Sequence, residues 1–131
     1  MERSISVAVI DAYPGTRQWL TRRLGKTPGI SVVGKAAAPG EALRIVCDQR
    51  PNVVVMDVRR IDRSAAEFVD RMAAAVPQSG IVILTAYITE RERSDLTRAG
   101  ARAILLKEID SGRLVRTIRT VAAQVTAGER R

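Results

Sequence analysis

The chain has 131 residues, of which 46% are hydrophobic and only 3% aromatic, and it carries a formal net charge of +8. That length suits one domain burying roughly two thirds of its unfolded surface, with a core of Val, Ile, Leu and Ala such as layered α/β proteins use. With no histidine and a single cysteine, Cys47, the composition excludes a zinc-type cluster, a histidine acid or base and an internal disulfide.

Taken in order, Ser6 to Ile10 reads as a first strand that ends on Asp11, and Pro14-Gly15 marks the turn into a helix in which Trp19, Leu20 and Leu24 share an apolar face. Gly29 precedes a second strand, Ser31 to Lys35. Pro39-Gly40 then opens a helix with Ala42, Ile45, Val46 and Gln49 in helical spacing, closed by Pro51. Cys47 falls in that helix, where a small packing thiol is expected rather than a reactive one.

Val53-Val54-Val55-Met56-Asp57 is an apolar run that stops abruptly on a carboxylate. Bounded by Pro51-Asn52 and Arg59-Arg60, it reads as a strand covered on both faces. A polar loop, Arg59 to Arg63, leads to a helix from Ser64 to Ala75 with Phe68, Val69, Met72 and Val76 on one side, which Pro77 ends. The fourth strand, Ile81 to Leu84, finishes on Thr85-Ala86.

The next helix opens with the capping pair Thr89 and Glu92, but up to Ala99 it offers a core only Leu96 and Ala99, so it is expected to be the least firmly anchored. Gly100 is placed to stop it. Ala103 to Leu106 is the fifth strand and ends on Lys107. A last helix from Asp110 to Ala127 buries Leu114, Ile118, Val121, Ala122 and Val125, while Arg113, Arg116 and Arg119 face elsewhere. One domain over residues 1–127 is expected, with 128–131 a tail or the start of a linker. Strand and helix alternate five times, which implies a parallel sheet with helices on both faces.

In such a sheet ligands bind beyond the carboxyl ends of the strands. On its own segment Asp57 reads equally well as a helix cap, so the other strand ends decide. They supply Asp11, Thr85 and Lys107, which with Asp57 make two carboxylates, a hydroxyl and an ammonium. Two carboxylates with backbone carbonyls suit a hard cation such as magnesium, and a lysine and a hydroxyl suit the oxygens of a phosphoryl group.

In VAVIDAYP, RPNVVVMDVR, VILTAY and AGARAILLKEID the sequence resembles the receiver domain of two-component response regulators, nearest to the NarL/LuxR-type transcription regulators, from Ser4 to about Ala127. The resemblance implies a flavodoxin-like three-layer fold with strand order 2-1-3-4-5, two helices on one face of the sheet and three on the other. It also implies that Asp57 accepts a phosphoryl group from a histidine kinase, with Thr85 and Lys107 binding its oxygens. Asp11, Asp57 and the backbone carbonyl of Arg59 would hold magnesium. The protein would be a phosphorylated switch and not an enzyme in its own right, able to form a homodimer and to reach DNA only through an output domain outside this sequence.

Three positions depart from that pattern. Ala12 stands where the family's second, metal-ligating acid is usual, the loop after Asp57 reads Arg59-Arg60-Ile61-Asp62, and Ile104 aligns with the aromatic that commonly moves with the switch hydroxyl. Magnesium binding is therefore expected to be weakened. An alternative reading follows, an atypical receiver acting as a phosphorylation-independent interaction or ligand-sensing module in which an arginine near the pocket neutralises Asp57. Gly25-Lys26-Thr27 resembles the end of a phosphate-binding loop, but Leu20 stands where that loop needs glycine and a helix precedes it, which excludes a nucleotide enzyme of that type.

No stretch approaches the ~18 apolar residues of a membrane span, and the first residues lack a signal peptide's layout. A cytoplasmic location and no membrane partner are expected. The positive charge raises the question of nucleic acid. Its cations are spread over nearly every expected helix, aromatics are scarce, and a solvated surface is the expectation.

Overall fold

The computed structural model describes residues 4–108 and 110–129, with the backbone alone for 127–129. Its elements are β1 (Ile5–Ile10), α1 (Pro14–Gly25), β2 (Ile30–Ala36), α2 (Pro39–Gln49), β3 (Val53–Asp57), α3 (Arg63–Ala75), β4 (Gly80–Thr85), α4 (Glu90–Ala99), β5 (Ala101–Leu106) and α5 (Ser111–Glu129). The sheet is wholly parallel with strand order 2-1-3-4-5, the flavodoxin-like arrangement. All five expected strands form, and β3 matches its expected bounds. The last helix runs on to Glu129, and residues 130–131 lie outside the described ones.

The period-two geometry of a strand divides β3 between two cores. Val53 and Val55 pack under α1 and α5, while Val54 and Met56 pack under α2, α3 and α4. This sets two helices on one face and three on the other. All four side chains are fully or nearly fully buried, so β3 is the axis of the molecule and Asp57 emerges from it with little freedom.

Helix anchoring differs widely. Helix α5 buries Leu114, Val115, Ile118, Val121 and Val125 against the sheet, whereas α4 buries Leu96 alone. At roughly 1.5–3 kcal/mol for each large aliphatic side chain, α5 is held several times more strongly. The N-terminus of α4 is secured locally by a capping box, in which Glu92 N donates to Thr89 Oγ1 at 3.1 Å and Thr89 N donates to Glu92 Oε1 at 2.9 Å. Amides of α4 are accordingly expected to exchange with deuterium well before those of the middle of α5; equal protection in the two helices would contradict this.

Gly100 ends α4 with φ of +125°, a conformation that side chains rarely adopt, and a Cβ built there would lie 2.6 Å from the Cβ of Ala73. Gly100→Ala is expected to lower stability by at least about 1 kcal/mol, read as a drop in the denaturant midpoint at unchanged m-value.

Three expectations about packing are corrected. Trp19 does not share the buried face of α1 but is 58% exposed, because Leu20 and Leu24, one turn apart, occupy the strip facing the sheet and leave the preceding position at its edge. Cys47 is exposed on α2, where Ala42 and Val46 fill the core, so it has no packing role. Gln49 is exposed as well.

Charge is also distributed differently from the expected scatter. Helices α2, α3 and α4 carry Arg44, Arg63, Arg71, Arg91, Arg93 and Arg98 against Glu41, Asp48, Glu67, Asp70, Glu90, Glu92 and Asp95, a near balance. The opposite layer holds Arg17, Arg22, Arg23 and Lys26 in and after α1 and Arg113, Arg116 and Arg119 in α5, with no acid between residues 16 and 27 or between 111 and 128. The excess positive charge thus lies on one face of the sheet. Among the described residues no helix is long and apolar enough to cross a membrane.

Candidate functional site

Because β1, β3, β4 and β5 are consecutive in the sheet, their carboxyl ends bring Asp11, Asp57, Thr85 and Lys107 together in that order along one edge. The register aligns Ile10 with Met56 and Asp57 with Leu84, so the two carboxylates leave their strands at the same level. The strand ends place all four residues along one edge, and of their side chains Lys107 meets Asp57 directly.

Asp11 is 1% exposed. Its Oδ1 accepts a hydrogen bond from Tyr13 N at 2.9 Å, which fixes the turn into α1, and Arg17 Nη1 donates to its backbone carbonyl at 2.8 Å. Its Oδ2 is buried without a partner among the described residues.

The Asp57 side chain is 1% exposed, and its Oδ2 lies 2.6 Å from Lys107 Nζ. This is an ion pair by distance, without the angle of a directed hydrogen bond, and Oδ1 has no partner among the described residues. Burial raises the Asp57 carboxyl above its ordinary range, and the nearby Asp11 raises it further; Lys107 and, more weakly, Arg59 act in the opposite direction without cancelling the effect.

Thr85 is fully buried and its Oγ1 donates to the Tyr87 carbonyl at 3.3 Å, so in this state the hydroxyl serves its own loop. Lys107 N donates to Thr85 O at 2.9 Å, which ties the end of β5 to that of β4 and sets the ammonium beside Asp57. Ile104, one of the departures from the receiver pattern, is half-buried on the α4 side of the sheet, and Arg93 Nη1 reaches its carbonyl at 3.4 Å.

Asp57 lies between two openings. One, of about 240 Å³, is bordered by Ala12, Pro39, Arg59 and Phe68, and the other, of about 130 Å³, by Trp19, Leu84, Lys107 and Leu114. The carboxylate itself is almost out of water, and these two openings are the sides from which a reagent would approach it.

Tyr13 and Trp19 have no site role in the sequence reading, which gives Arg59 one only through its carbonyl and its charge. The Arg59 guanidinium stacks over the Tyr13 ring at 3.2 Å from its centroid, within the range of a cation–π contact. Trp19, displaced from the core, borders the opening beside Lys107. An arginine two positions past the acceptor, with an aromatic two positions past the first acid, was the available signal for the first pair.

The donor set suits a hard divalent cation that keeps several of its waters. Asp11 Oδ2 and Asp57 Oδ1 are buried carboxylate oxygens without partners at adjacent strand ends, and such oxygens are costly unless a cation or hydrogen bond meets them. Ala12 adds no oxygen, and no cluster of three or more acidic, histidine or cysteine side chains occurs among the described residues.

The profile of the response regulator receiver domain family matches residues 7–119. The chain is 32% identical over 119 residues to the DNA-binding transcriptional activator DevR/DosR of Mycobacterium tuberculosis, covering 91% of this chain and 55% of that protein. It is 29% identical over 126 residues to the response regulator GacA of Pseudomonas aeruginosa, covering 96% and 57% respectively. The chain thus spans little more than half the length of these relatives. Among solved structures, a LuxR-family two-component response regulator from Aurantimonas sp. SI85-9A1 superposes with a TM-score of 0.83 at 26% identity, over 92% of this chain and 86% of that one. The receiver domain of the putative response regulator NarL from Mycobacterium tuberculosis gives 0.82 at 22% identity, over 92% and 98%.

Proposed function

We propose, for a chain that belongs to the response regulator receiver domain family, that Asp57 accepts a phosphoryl group from a histidine kinase and that the acyl phosphate resets the domain between two conformations. The observation that carries this reading is a nearly inaccessible carboxylate, ion-paired to Lys107 at 2.6 Å, with a second oxygen free and openings on both sides. Its chemistry is that of a carboxylate nucleophile. One oxygen of Asp57 bonds to phosphorus as the phosphorus–nitrogen bond of a phosphohistidine breaks, and the bonding pair leaves on the imidazole.

Lys107 is placed to follow the new negative charge from the carboxylate to the phosphoryl oxygens. Thr85 supplies a hydroxyl to another oxygen once it leaves the Tyr87 carbonyl, and that exchange of partners is the proposed switch. Receiver domains typically bind magnesium at their acidic site. Here Asp11, Asp57 and the Arg59 carbonyl would hold it, and when bound it offsets the charge that builds up on the transferring group.

In this reading the protein acts as an acceptor and switch, not as an enzyme. It works in the cytoplasm, with a histidine kinase as partner and a second copy of itself as a candidate for a homodimer. Its DNA contact as a regulator would run through a LuxR-type output segment beyond this sequence. The receiver unit is residues 1–127, with 128–131 a tail or the start of a linker.

A specific observation favours a second reading. Arg59 over Tyr13 brings a permanent cation to a site that Ala12 leaves one acid short, which suits a phosphorylation-independent interaction module. The discriminating experiment is incubation with acetyl phosphate or phosphoramidate, with and without magnesium, followed by intact-mass measurement. Phosphoryl transfer should add one group, require magnesium and disappear in Asp57→Asn. No adduct under either condition would establish the second reading.

A further inference from the structure

The segregation of charge leaves one face of the molecule with no counterpart in the phosphoacceptor site. Two grooves flank α5 there. The first, of about 330 Å³ between α1 and α5, is bordered by Arg23, Lys26, Arg116 and Arg119, and the second, of about 520 Å³ between β5 and α5, by Arg102, Arg113 and Arg116. Arg116 belongs to both. Arg113, Arg116 and Arg119 advance along α5 over about 9 Å and turn progressively around it, so the grooves join into one continuous cationic band.

None of these six cations is in an ion pair among the described residues. Two of them are nonetheless held in place. Arg23 donates through Nε and Nη2 to Ser111 Oγ at 3.2 and 3.0 Å, and Arg119 Nη2 donates to the Pro28 carbonyl at 3.0 Å. Neutral partners orient a guanidinium without cancelling its charge, which reduces the ordering cost when an anion arrives.

We infer that the α1–α5 face is a docking surface for the phosphate backbone of duplex nucleic acid, without sequence preference. Three anionic occupants are conceivable, an acidic protein, an anionic membrane and a polyphosphate backbone, and the apolar surface separates them. A protein interface needs buried apolar or aromatic anchors at its centre, and a membrane surface site needs side chains to insert. Among the described residues the exposed large hydrophobics are Tyr13, Trp19, Tyr87 and Leu106; none of them borders either groove, and Trp19 on α1 stands at the separate opening beside Lys107. Beside the cations the grooves offer Thr27, Thr117, Thr120 and Gln124, and the apolar residues that line them, Pro28, Ala103, Val115 and Val121, are small or, for the two valines, already buried against the sheet. Arginine, lysine and hydroxyl or amide donors are the usual partners of phosphate oxygens and carry no sequence information. The scarcity of aromatics, which argues against stacking on single strands, has no bearing on backbone contacts to a duplex.

The test is fluorescence anisotropy of the complete chain with a short labelled duplex of arbitrary sequence, titrated at several salt concentrations. Binding should weaken with salt at a log–log slope of about −0.9 for each phosphate neutralised. Changing Arg113, Arg116 and Arg119 together to glutamate should weaken binding at low salt by at least about tenfold and make the slope shallower by about 2–3. The corresponding changes at Arg91, Arg93 and Arg98 of α4 should alter it less than twofold. Because Arg119 also supports the Pro28 carbonyl, the pair Arg113→Gln and Arg116→Gln serves as a second variant, with circular dichroism reporting the fold of each. Parallel titrations use poly-glutamate and vesicles containing phosphatidylserine. No duplex binding at low salt, equal loss from the α4 variant, or poly-glutamate or vesicles bound as tightly as the duplex would each overturn the inference.

Discussion

Asp57→Asn should raise the melting temperature of the metal-free protein by several degrees at neutral pH, even though it removes the group proposed to carry the chemistry. In the folded state the carboxylate is nearly inaccessible, one oxygen lacks a partner and Asp11 lies nearby; burial and this like charge together outweigh the attraction of Lys107 and Arg59. An ionised group held in this way costs the fold on the order of 1 kcal/mol or more. Asparagine keeps the shape without the charge. Lys107 loses its partner, but with 30% of its side chain already exposed its ammonium can extend into water.

The sign of the pH dependence follows from the raised carboxyl. Well below the unfolded aspartate's ordinary value of about 3.9 the residue is protonated in both folded and unfolded chains and costs the fold nothing. As pH rises the unfolded chain releases its proton first, and the folded protein loses stability until its own higher value is passed. The advantage of asparagine should therefore be small in acid, grow through the weakly acidic range and level off above it. Each 1 kcal/mol should appear as roughly 3–6 °C for a domain of this size. Thermal melts in a chelator across that range measure the difference, and a variant less stable than the parent at neutral pH would mean that the Lys107 pair outweighs burial and repulsion. Magnesium should narrow the gap by stabilising only the protein that binds it.

Fold and site were legible to different depths. The alternation of apolar runs with amphipathic segments fixes strands and helices because each period reports which faces are buried, and β3 was read to the residue since both its faces are. Strand order was not carried by that pattern and entered through family resemblance; no local signal tells β1 whether β2 or β3 will be its neighbour, and both are. The convergence of Asp11, Asp57, Thr85 and Lys107 was legible because topology puts every strand end on one edge. Side-chain type is a poor guide at Trp19 and Cys47, because helical phase decides which apolar residue faces the sheet. The stacking of Arg59 on Tyr13 joins two loops 46 positions apart in sequence, and periodicity has no access to such a contact. Charge segregation was concealed for a related reason: cations occur on nearly every helix, and only the three-dimensional layering shows which of them have acids among their neighbours.

Magnesium binding should tighten by at least about tenfold in Ala12→Asp, a gain of about 1.4 kcal/mol or more. The parent protein has two carboxylates at the edge of the sheet, and Ala12 is an exposed residue bordering the opening beside Asp57. An aspartate there has room to turn its oxygens toward the same space. Arg59→Ala should tighten binding severalfold by a different route, since the guanidinium over Tyr13 is a fixed positive charge close enough to act on Asp57 and therefore on any cation that Asp57 ligates. The two changes act on one centre, so their combination should fall short of the sum of the separate gains. Trp19 offers the readout, because it is exposed at the opening bordered by Lys107 and Asp57 and is the single tryptophan of the chain. Fluorescence titration with magnesium, checked by calorimetry, gives the constants. If the parent binds as tightly as Ala12→Asp, the position after Asp11 does not face the metal site. Should Arg59→Ala weaken binding, the arginine supports the loop whose carbonyl is proposed as a ligand instead of competing with the ion, and the stacking on Tyr13 would then belong to the metal site as a brace.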